Sequence, residues 1–115
     1  MAEKKDSLVV MWSSGDREVA LKMVLMYTYN AKVKGWWEDI IFIIWGPSAK
    51  LLAADQELQN YLKKMKEAGI TIEACKTCSD MYEVSEKLVE IGVEVKYMGI
   101  PLTTYIKENR KIITF

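Results

Sequence analysis

Five short apolar runs alternate with segments of helical periodicity along this chain of 115 residues. The runs occupy positions 8–12, 40–45, 70–74, 93–98 and 111–115. The second run is apolar at every position and rich in β-branched side chains, which is typical of a strand covered on both faces. The alternation predicts an α/β fold in which helices connect the strands of a parallel sheet. A chain of this length, 1–115, is expected to form a single domain.

The composition excludes several classes of function. Sixteen basic and sixteen acidic side chains cancel, and no stretch concentrates Lys and Arg as nucleic-acid binding requires. The charged start of the chain leads into an apolar run too short for an export signal or a membrane span, so we expect a cytoplasmic protein with no membrane partner. Histidine is absent, which excludes Ser-His and Cys-His pairs within one chain. Two cysteines alone cannot complete a structural zinc site, so we expect no metal and no cofactor.

Cys75 and Cys78 stand at the end of the third predicted strand. The crevice outside the carboxyl ends of parallel strands is where α/β sheets bind ligands. Asp80 and Glu83 have the spacing of a capping box and predict that a helix begins just after the cysteines. The positive end of that helix and the cation of Lys76 are expected to lower the thiol pKa below about 8.5, at Cys78 above all.

Two other interpretations of the cysteines stay open. A C-x-x-C beside a βαβ pattern is also typical of a thiol-disulfide couple. In the simpler alternative, Cys75 is one more small buried hydrophobe and Cys78 is a passive loop residue.

The loops after the first two strands are further candidates for holding an anion or a persulfide. In the expected strand order 2-1-3-4-5, Ser13, Ser14 and Gly15 lie at the same sheet edge as Cys75. Their hydroxyls and N–H groups suit an anion, but an ordinary helix N-cap at Ser14 or Asp16 explains the loop equally well. Gly46 allows the same two interpretations, with turn formation favoured.

The first predicted helix, positions 16–34, has almost no polar face. A helix that is apolar all round is expected to be covered on both sides, and in a small domain a second subunit is the simplest cover. The aromatic pair Trp36 and Trp37 supports an oligomer interface. The alternative is that one side of this helix is apolar surface.

Taken together, these stretches resemble the DsrE/DsrF-like family of sulfur-relay proteins, which includes TusB, TusC and TusD. The resemblance covers nearly the whole chain and is most specific at Gly69-Ile70-Thr71-Ile72-Glu73-Ala74-Cys75. It implies a three-layer α/β/α fold with a five-stranded parallel sheet, assembled as trimers or hexamers or with paralogues. In active members one cysteine after the third strand carries sulfur as a persulfide, and by position that residue is Cys75. Cys78 is not a general feature of the family.

The resemblance and the thiols together favour a cytoplasmic persulfide carrier of the sulfurtransferase type, which passes sulfur between a donor and an acceptor protein. A thiolate is itself the nucleophile and the carrier, so this chemistry needs no cofactor. The alternatives are a non-catalytic oligomeric module that binds a small anion or a protein, and a C-x-x-C redox protein.

Overall fold

A computed structural model describes residues 6–115. The charged first residues, on which the expectation of no export signal partly depends, lie outside the described range. Each of the five predicted apolar runs forms a strand, and no bound differs from the prediction by more than two residues. The strands are β1 (Ser7–Trp12), β2 (Asp39–Ile44), β3 (Thr71–Cys75), β4 (Glu94–Lys96) and β5 (Lys111–Thr114).

Helices connect all the strands. The first helical stretch consists of α1 (Arg17–Val19), a π-helical segment (Ala20–Val24) and α2 (Leu25–Val33). The remaining helices are α3 (Pro47–Ala54), α4 (Gln56–Glu67), α5 (Lys76–Met81), α6 (Ser85–Glu90) and α7 (Gly99–Lys107). No helix within residues 6–115 is long and apolar enough to cross a membrane.

The five strands form one parallel sheet in the order β4-β3-β2-β1-β5. The three-layer α/β/α architecture is confirmed, but this order corrects the expected 2-1-3-4-5, in which β1 would separate β2 from β3. The chain instead steps in one direction from β1 to β4, and only the last connection returns past β1 to add β5. Because crossovers are right-handed, that reversal places α7 on the opposite face from the earlier helices.

The two faces of the sheet are covered unequally. Residues of α2, α3, α4 and α6 pack on the first face, around a core that includes the rings of Trp12 and Phe42, whose centroids lie 5.8 Å apart. On the second face Val9 and Ile43 pack against α7 through Leu102. Strand β2 therefore contributes buried side chains to both faces, as its unbroken apolar run predicts.

One side of the first helical stretch is exposed in the single chain. Val24 and Leu25 are fully buried, whereas Met23 is 51% and Met26 46% exposed. Trp36, just after this stretch, is 52% exposed. The expected cover by a second subunit stays a prediction, and these residues show which surface it would occupy.

Helix α4 begins with Asp55 as its N-cap. The carboxylate of Asp55 accepts a hydrogen bond from the N–H of Leu58 and another from Arg17. The hydrogen bond from Arg17 lowers the pKa of Asp55. The cap therefore stabilises the fold above the ordinary Asp pKa, and its contribution is lost as the pH falls through the lowered folded pKa.

Replacing Asp55 by alanine is expected to lower the free energy of unfolding by about 1 kcal/mol at neutral pH, because one N–H of the first turn loses its acceptor. Urea denaturation followed by circular dichroism measures the change. Glu57→Gln, which removes only the exposed ion pair between Glu57 and Arg17, is the matched control and should cost less than about 0.5 kcal/mol. Equal losses in the two variants would contradict the assignment of Asp55 as the cap.

Candidate functional site

Cys75 is the last residue of β3, and its side chain lies on the second face of the sheet. It is only 5% exposed and packs in a cluster with Val9, Ile43 and Met98. Its neighbour Ala74 faces the opposite core, as the alternation of side chains along a strand requires. The thiol is thus held at the carboxyl end of the sheet, against apolar groups.

Helix α5 begins immediately after Cys75, which is its N-cap residue. This corrects the prediction that a helix starts at Asp80. Asp80 lies inside α5, where its carboxylate pairs with Lys76 at 2.7 Å, and Glu83 has a left-handed backbone (φ 59°) in the turn before α6. Cys78 is therefore the third residue of a helix and not a loop residue.

One helical turn brings the two cysteines together. Cys78 is partly buried and packs against the cluster that contains Cys75. The main-chain N–H of Gly46, in the loop after β2, lies near enough to the Cys78 thiol to oppose the rise in its pKa. Gly46 has a positive φ of 75°, a conformation that disfavours other residues. Three predicted site residues, Cys75, Cys78 and Gly46, thus converge.

The predicted lowering of the Cys78 pKa is wrong. Burial raises the pKa of the Cys78 thiol, the N–H of Gly46 opposes this, and the neighbouring Cys75 raises the pKa further. The ammonium of Lys76 is paired with Asp80 and lies 5.5 Å from the centre of the Tyr97 ring, so it does not supply the expected cation. Cys78 therefore keeps its proton at neutral pH.

Cys78 is expected to react slowly with iodoacetamide at neutral pH, because only the thiolate is the nucleophile. Its alkylation rate, read by peptide mass spectrometry at a series of pH values, should reach half its maximum above about pH 8.5, the ordinary thiol value. The same peptide in denaturant is the internal control. If the pH midpoint of alkylation were lower in the folded protein than in the unfolded chain, burial would not be the dominant influence on the pKa of Cys78.

The loop of Ser13, Ser14 and Gly15 is engaged within the fold. The main-chain N–H groups of Ser13 and Ser14 donate to the main-chain oxygen of Phe115 at 2.8 and 3.2 Å, and the Ser13 hydroxyl donates to the same atom at 2.9 Å. The Ser14 hydroxyl accepts from the N–H of Asp16, which caps α1. These contacts favour the structural interpretation of the loop, and an anion-binding role stays a prediction.

This loop contacts the start of α3 but follows a strand that is two positions away from β3. A Cβ added at Gly15 would lie 3.1 Å from the Cβ of Pro47, the first residue of α3, so the two segments approach closely. The N–H of Ser48 also donates to the main-chain oxygen of Ser13. In the observed strand order, the loop after β2 thus separates Ser13 from the cysteines.

A buried carboxylate near Cys75 was missed from the sequence. Glu73 is two residues before Cys75 on the same side of β3 and is 4% exposed. Its carboxylate pairs with Lys96 of β4 at 2.8 Å and accepts a hydrogen bond from Tyr105 of α7 at 2.9 Å. Burial, followed by the contact with Glu73, raises the pKa of Tyr105 to about 12. The signal in the sequence was a single Glu inside an apolar strand, where a charge needs a partner.

Glu73 fixes α7 to the second face of the sheet, beside the cysteines. Lys96 and Tyr105 come from the two elements that flank β3 on this side, and both contact the same carboxylate. The arrangement ties the position of α7 to the strand that ends at Cys75.

Two grooves lie away from the cysteines. An apolar groove of about 410 Å³ is lined by residues that include Met23, Met26, Trp36 and Ile113. A polar groove of about 650 Å³ lies between α4 and the residues around Gly92. Across residues 6–115, no group of three or more Cys, Asp or Glu side chains is placed to hold a metal ion.

Comparison with solved structures places the fold among known proteins. A conserved protein of unknown function from Bacteroides thetaiotaomicron, BT1422, is 40% identical over 96% of this chain and 95% of its own, with a TM-score of 0.93. The ychN protein from E. coli has a TM-score of 0.72 at 16% identity over the full length of both chains. MTH1491, a protein of unknown function from Methanobacterium thermoautotrophicum, has a TM-score of 0.74 at 17% identity, covering 95% of this chain and 98% of its own.

A search of curated proteins finds no match. The model of the DsrE/DsrF-like family, however, matches residues 8–115, a range that contains all five strands and both cysteines. The chain therefore belongs to the DsrE/DsrF-like family.

Proposed function

We propose that this protein is a sulfur carrier of the sulfurtransferase type, which holds sulfur as a persulfide on Cys75. The observation that carries the proposal is the contact between two thiols at the carboxyl end of β3 in a chain of the DsrE/DsrF-like family. The family is associated with sulfur relay, and its active members use a cysteine at the position of Cys75.

The transfer is a thiol exchange between persulfides. The Cys75 thiolate attacks the outer sulfur of a donor persulfide, a bond forms between that sulfur and the Cys75 Sγ, and the donor leaves as a thiolate. An acceptor thiolate then attacks the same outer sulfur, and Cys75 leaves as a thiolate. Sulfur is neither gained nor lost, and no metal or organic cofactor takes part.

The surroundings of Cys75 suit a stored persulfide. Its apolar neighbours Val9, Ile43 and Met98 limit the access of water and small reductants. The protonated thiol of Cys78 can donate a hydrogen bond to a charged outer sulfur. Gly46 directs a main-chain N–H towards the same space.

Loading followed by discharge tests this proposal. The protein is exposed to polysulfide, the donor is removed, and intact-mass spectrometry is recorded before and after addition of an acceptor thiol. A gain of one sulfur atom that the acceptor removes is the expected result. A wild-type mass unchanged by polysulfide would overturn the proposal and favour a module that binds an anion or a protein without catalysis.

A thiol-disulfide redox protein is the second candidate, and the contact between Cys75 and Cys78 favours it. This function requires reversible two-electron oxidation of the pair at a biological potential. Equilibration with glutathione redox buffers measures that potential. A pair that stays reduced in every buffer would exclude the redox function.

We also propose that the protein forms a homo-oligomer through the apolar groove at the first helical stretch, and that it works in the cytoplasm with donor and acceptor proteins. Met23, Met26 and Trp36 expose apolar area on one continuous surface, and such patches mark interaction sites. A second copy is the favoured occupant because the groove is present on every chain, so that a symmetric contact buries two such patches at once.

Replacing both Met23 and Met26 by glutamate is expected to convert the oligomer to monomers, because charges would be buried at the contact. Sedimentation velocity measures the change. Lys63→Glu, on the polar groove, is the control and should leave the oligomer intact. A wild-type protein that sediments as a monomer at micromolar concentration would contradict this proposal.

A further inference from the structure

Cys78 has no necessary part in storing sulfur, yet its thiol is held against Cys75. The two residues are the N-cap and the third residue of α5, so one helical turn sets their separation. Cys75 belongs to the apolar cluster on the second face and Cys78 packs against that cluster, and the nearby Cys75 raises the pKa of the Cys78 thiol. The C-x-x-C spacing is typical of a thiol-disulfide couple, which brings its two Cβ atoms to about 3.5–4.5 Å when the bond forms.

We propose that Cys78 is a resolving cysteine, which discharges the sulfur on Cys75 as hydrosulfide and leaves a disulfide between Cys75 and Cys78. This inference rests on the proposed persulfide at Cys75. It gives the protein a second activity, the reduction of bound sulfur to sulfide, in addition to delivery of that sulfur to an acceptor.

The step balances without an outside oxidant. The Sγ of Cys78 attacks the Sγ of Cys75, the bond between Cys75 and its outer sulfur breaks, and the bond between the two cysteines forms. The proton of the Cys78 thiol passes to the outer sulfur, which leaves as hydrosulfide. The outer sulfur is reduced, and the two cysteine sulfurs are oxidised by the same two electrons. A dithiol reductant must then reduce the disulfide before the protein can be loaded again.

The local chemistry supplies the proton that this step needs. A persulfide is more acidic than a thiol, and its outer sulfur cannot leave as a bare dianion. Burial and Cys75 raise the pKa of Cys78, so that a proton is present beside the leaving sulfur at neutral pH. The attacking and leaving groups are held in one small apolar space, and such positioning accelerates intramolecular reactions strongly.

Two competing routes of discharge predict different products. Delivery to an acceptor thiol returns Cys75 to its reduced state, with both cysteines free. Resolution by Cys78 releases hydrosulfide in the absence of any acceptor and leaves the chain lighter by two hydrogens than the reduced protein. The two outcomes are separable in one mass spectrum.

The test uses wild type, Cys78→Ser, and the control Thr77→Ala, which alters an exposed residue between the cysteines. Each protein is loaded with polysulfide, freed of donor, and incubated without thiols, while a sulfide-selective probe and intact-mass spectrometry follow the products. Wild type and Thr77→Ala are expected to lose the sulfur, release hydrosulfide and form the disulfide. Cys78→Ser is expected to hold its sulfur at least about tenfold longer.

Wild type that loads and then keeps its sulfur as long as Cys78→Ser, with no disulfide, would overturn the inference and leave the carrier function standing. Failure of both wild type and Cys78→Ser to load would overturn the carrier function and the inference together. The disulfide can be detected in loaded wild type alone, so the inference stays testable even if Cys78→Ser folds poorly.

Discussion

Cys75→Ser is expected to abolish sulfur loading completely, whereas Cys78→Ser loads to the wild-type level. A serine hydroxyl is a far weaker nucleophile than a thiolate and forms no stable bond to sulfane sulfur. Cys75 holds the buried position at the end of β3, and Cys78 keeps its proton at neutral pH because burial raises its pKa. Intact-mass spectrometry after exposure to polysulfide gives the loaded fraction of each variant.

The two variants are matched controls for one another, since each removes one thiol from the same apolar cluster. Circular dichroism of both verifies that loading is compared in folded proteins. Loading by Cys75→Ser that equals that of wild type would assign the carrier role to Cys78, against the position that the family resemblance implies.

Lys96→Met is expected to lower the free energy of unfolding by about 3 kcal/mol, because it leaves the buried charge of Glu73 without its cation. The side chain of Glu73 is only 5% exposed, whereas that of Lys96 is 33% exposed. We therefore take the lower end of the destabilisation that is typical when one partner of a buried ion pair is removed. Glu73 raises the pKa of Lys96. The raised pKa of Lys96 means that its part in the stability is present at neutral pH and is lost as the pH rises through that pKa.

Urea denaturation of wild type, Lys96→Met and the double variant Glu73→Gln with Lys96→Met measures this effect. The double variant should recover much of the lost stability, because the neutral amide no longer brings an unpaired charge into the interior. Glu94→Gln removes only an exposed partner of Lys96 and should change stability by less than about 0.5 kcal/mol. A loss in Lys96→Met as small as that in Glu94→Gln would show that water reaches Glu73.

The sheet was predictable from local sequence, whereas the order of its strands was not. Each strand overlaps a predicted apolar run, and β2 is apolar from Ile40 to Ile44 because both of its faces are buried. The order depends on where the chain reverses direction across the sheet, which the expected order placed after β2 and the structure places after β4. The reversal puts α7 on the second face, where it packs through Leu102 and Tyr105, and periodicity does not encode such long-range contacts.

That Cys75 and Gly46 lie at one edge of the sheet follows from their positions at strand ends, but neither the approach of Gly46 to Cys78 nor the charge state of Cys78 was predicted. The sequence shows that a helix is near and that Lys76 is adjacent. It does not show that α5 begins directly at Cys75 or that Lys76 pairs with Asp80. The capping-box spacing of Asp80 and Glu83 was misleading, because Asp80 instead accepts hydrogen bonds from Lys76 and Ser85.

The partners of Glu73 could not be predicted from sequence patterns. Within β3 it stands between Ile72 and Ala74, which contribute to the first-face core. Its own side chain faces the other way, towards Lys96 and Tyr105. These partners lie 23 and 32 residues further along the chain, so only the folded arrangement shows that the carboxylate is paired.

Locating the stored sulfur tests the central claim most directly. Lys76 separates the two cysteines in sequence, so trypsin places Cys75 on the peptide 67–76 and Cys78 on the peptide 77–87. Wild type is exposed to polysulfide at neutral pH and unfolded at once in denaturant that contains iodoacetamide, before Cys78 discharges the sulfur, and both peptides are read by mass spectrometry. We predict one extra sulfur atom on the peptide of Cys75 and a simple alkylated thiol on that of Cys78. No extra sulfur on the Cys75 peptide would contradict the account.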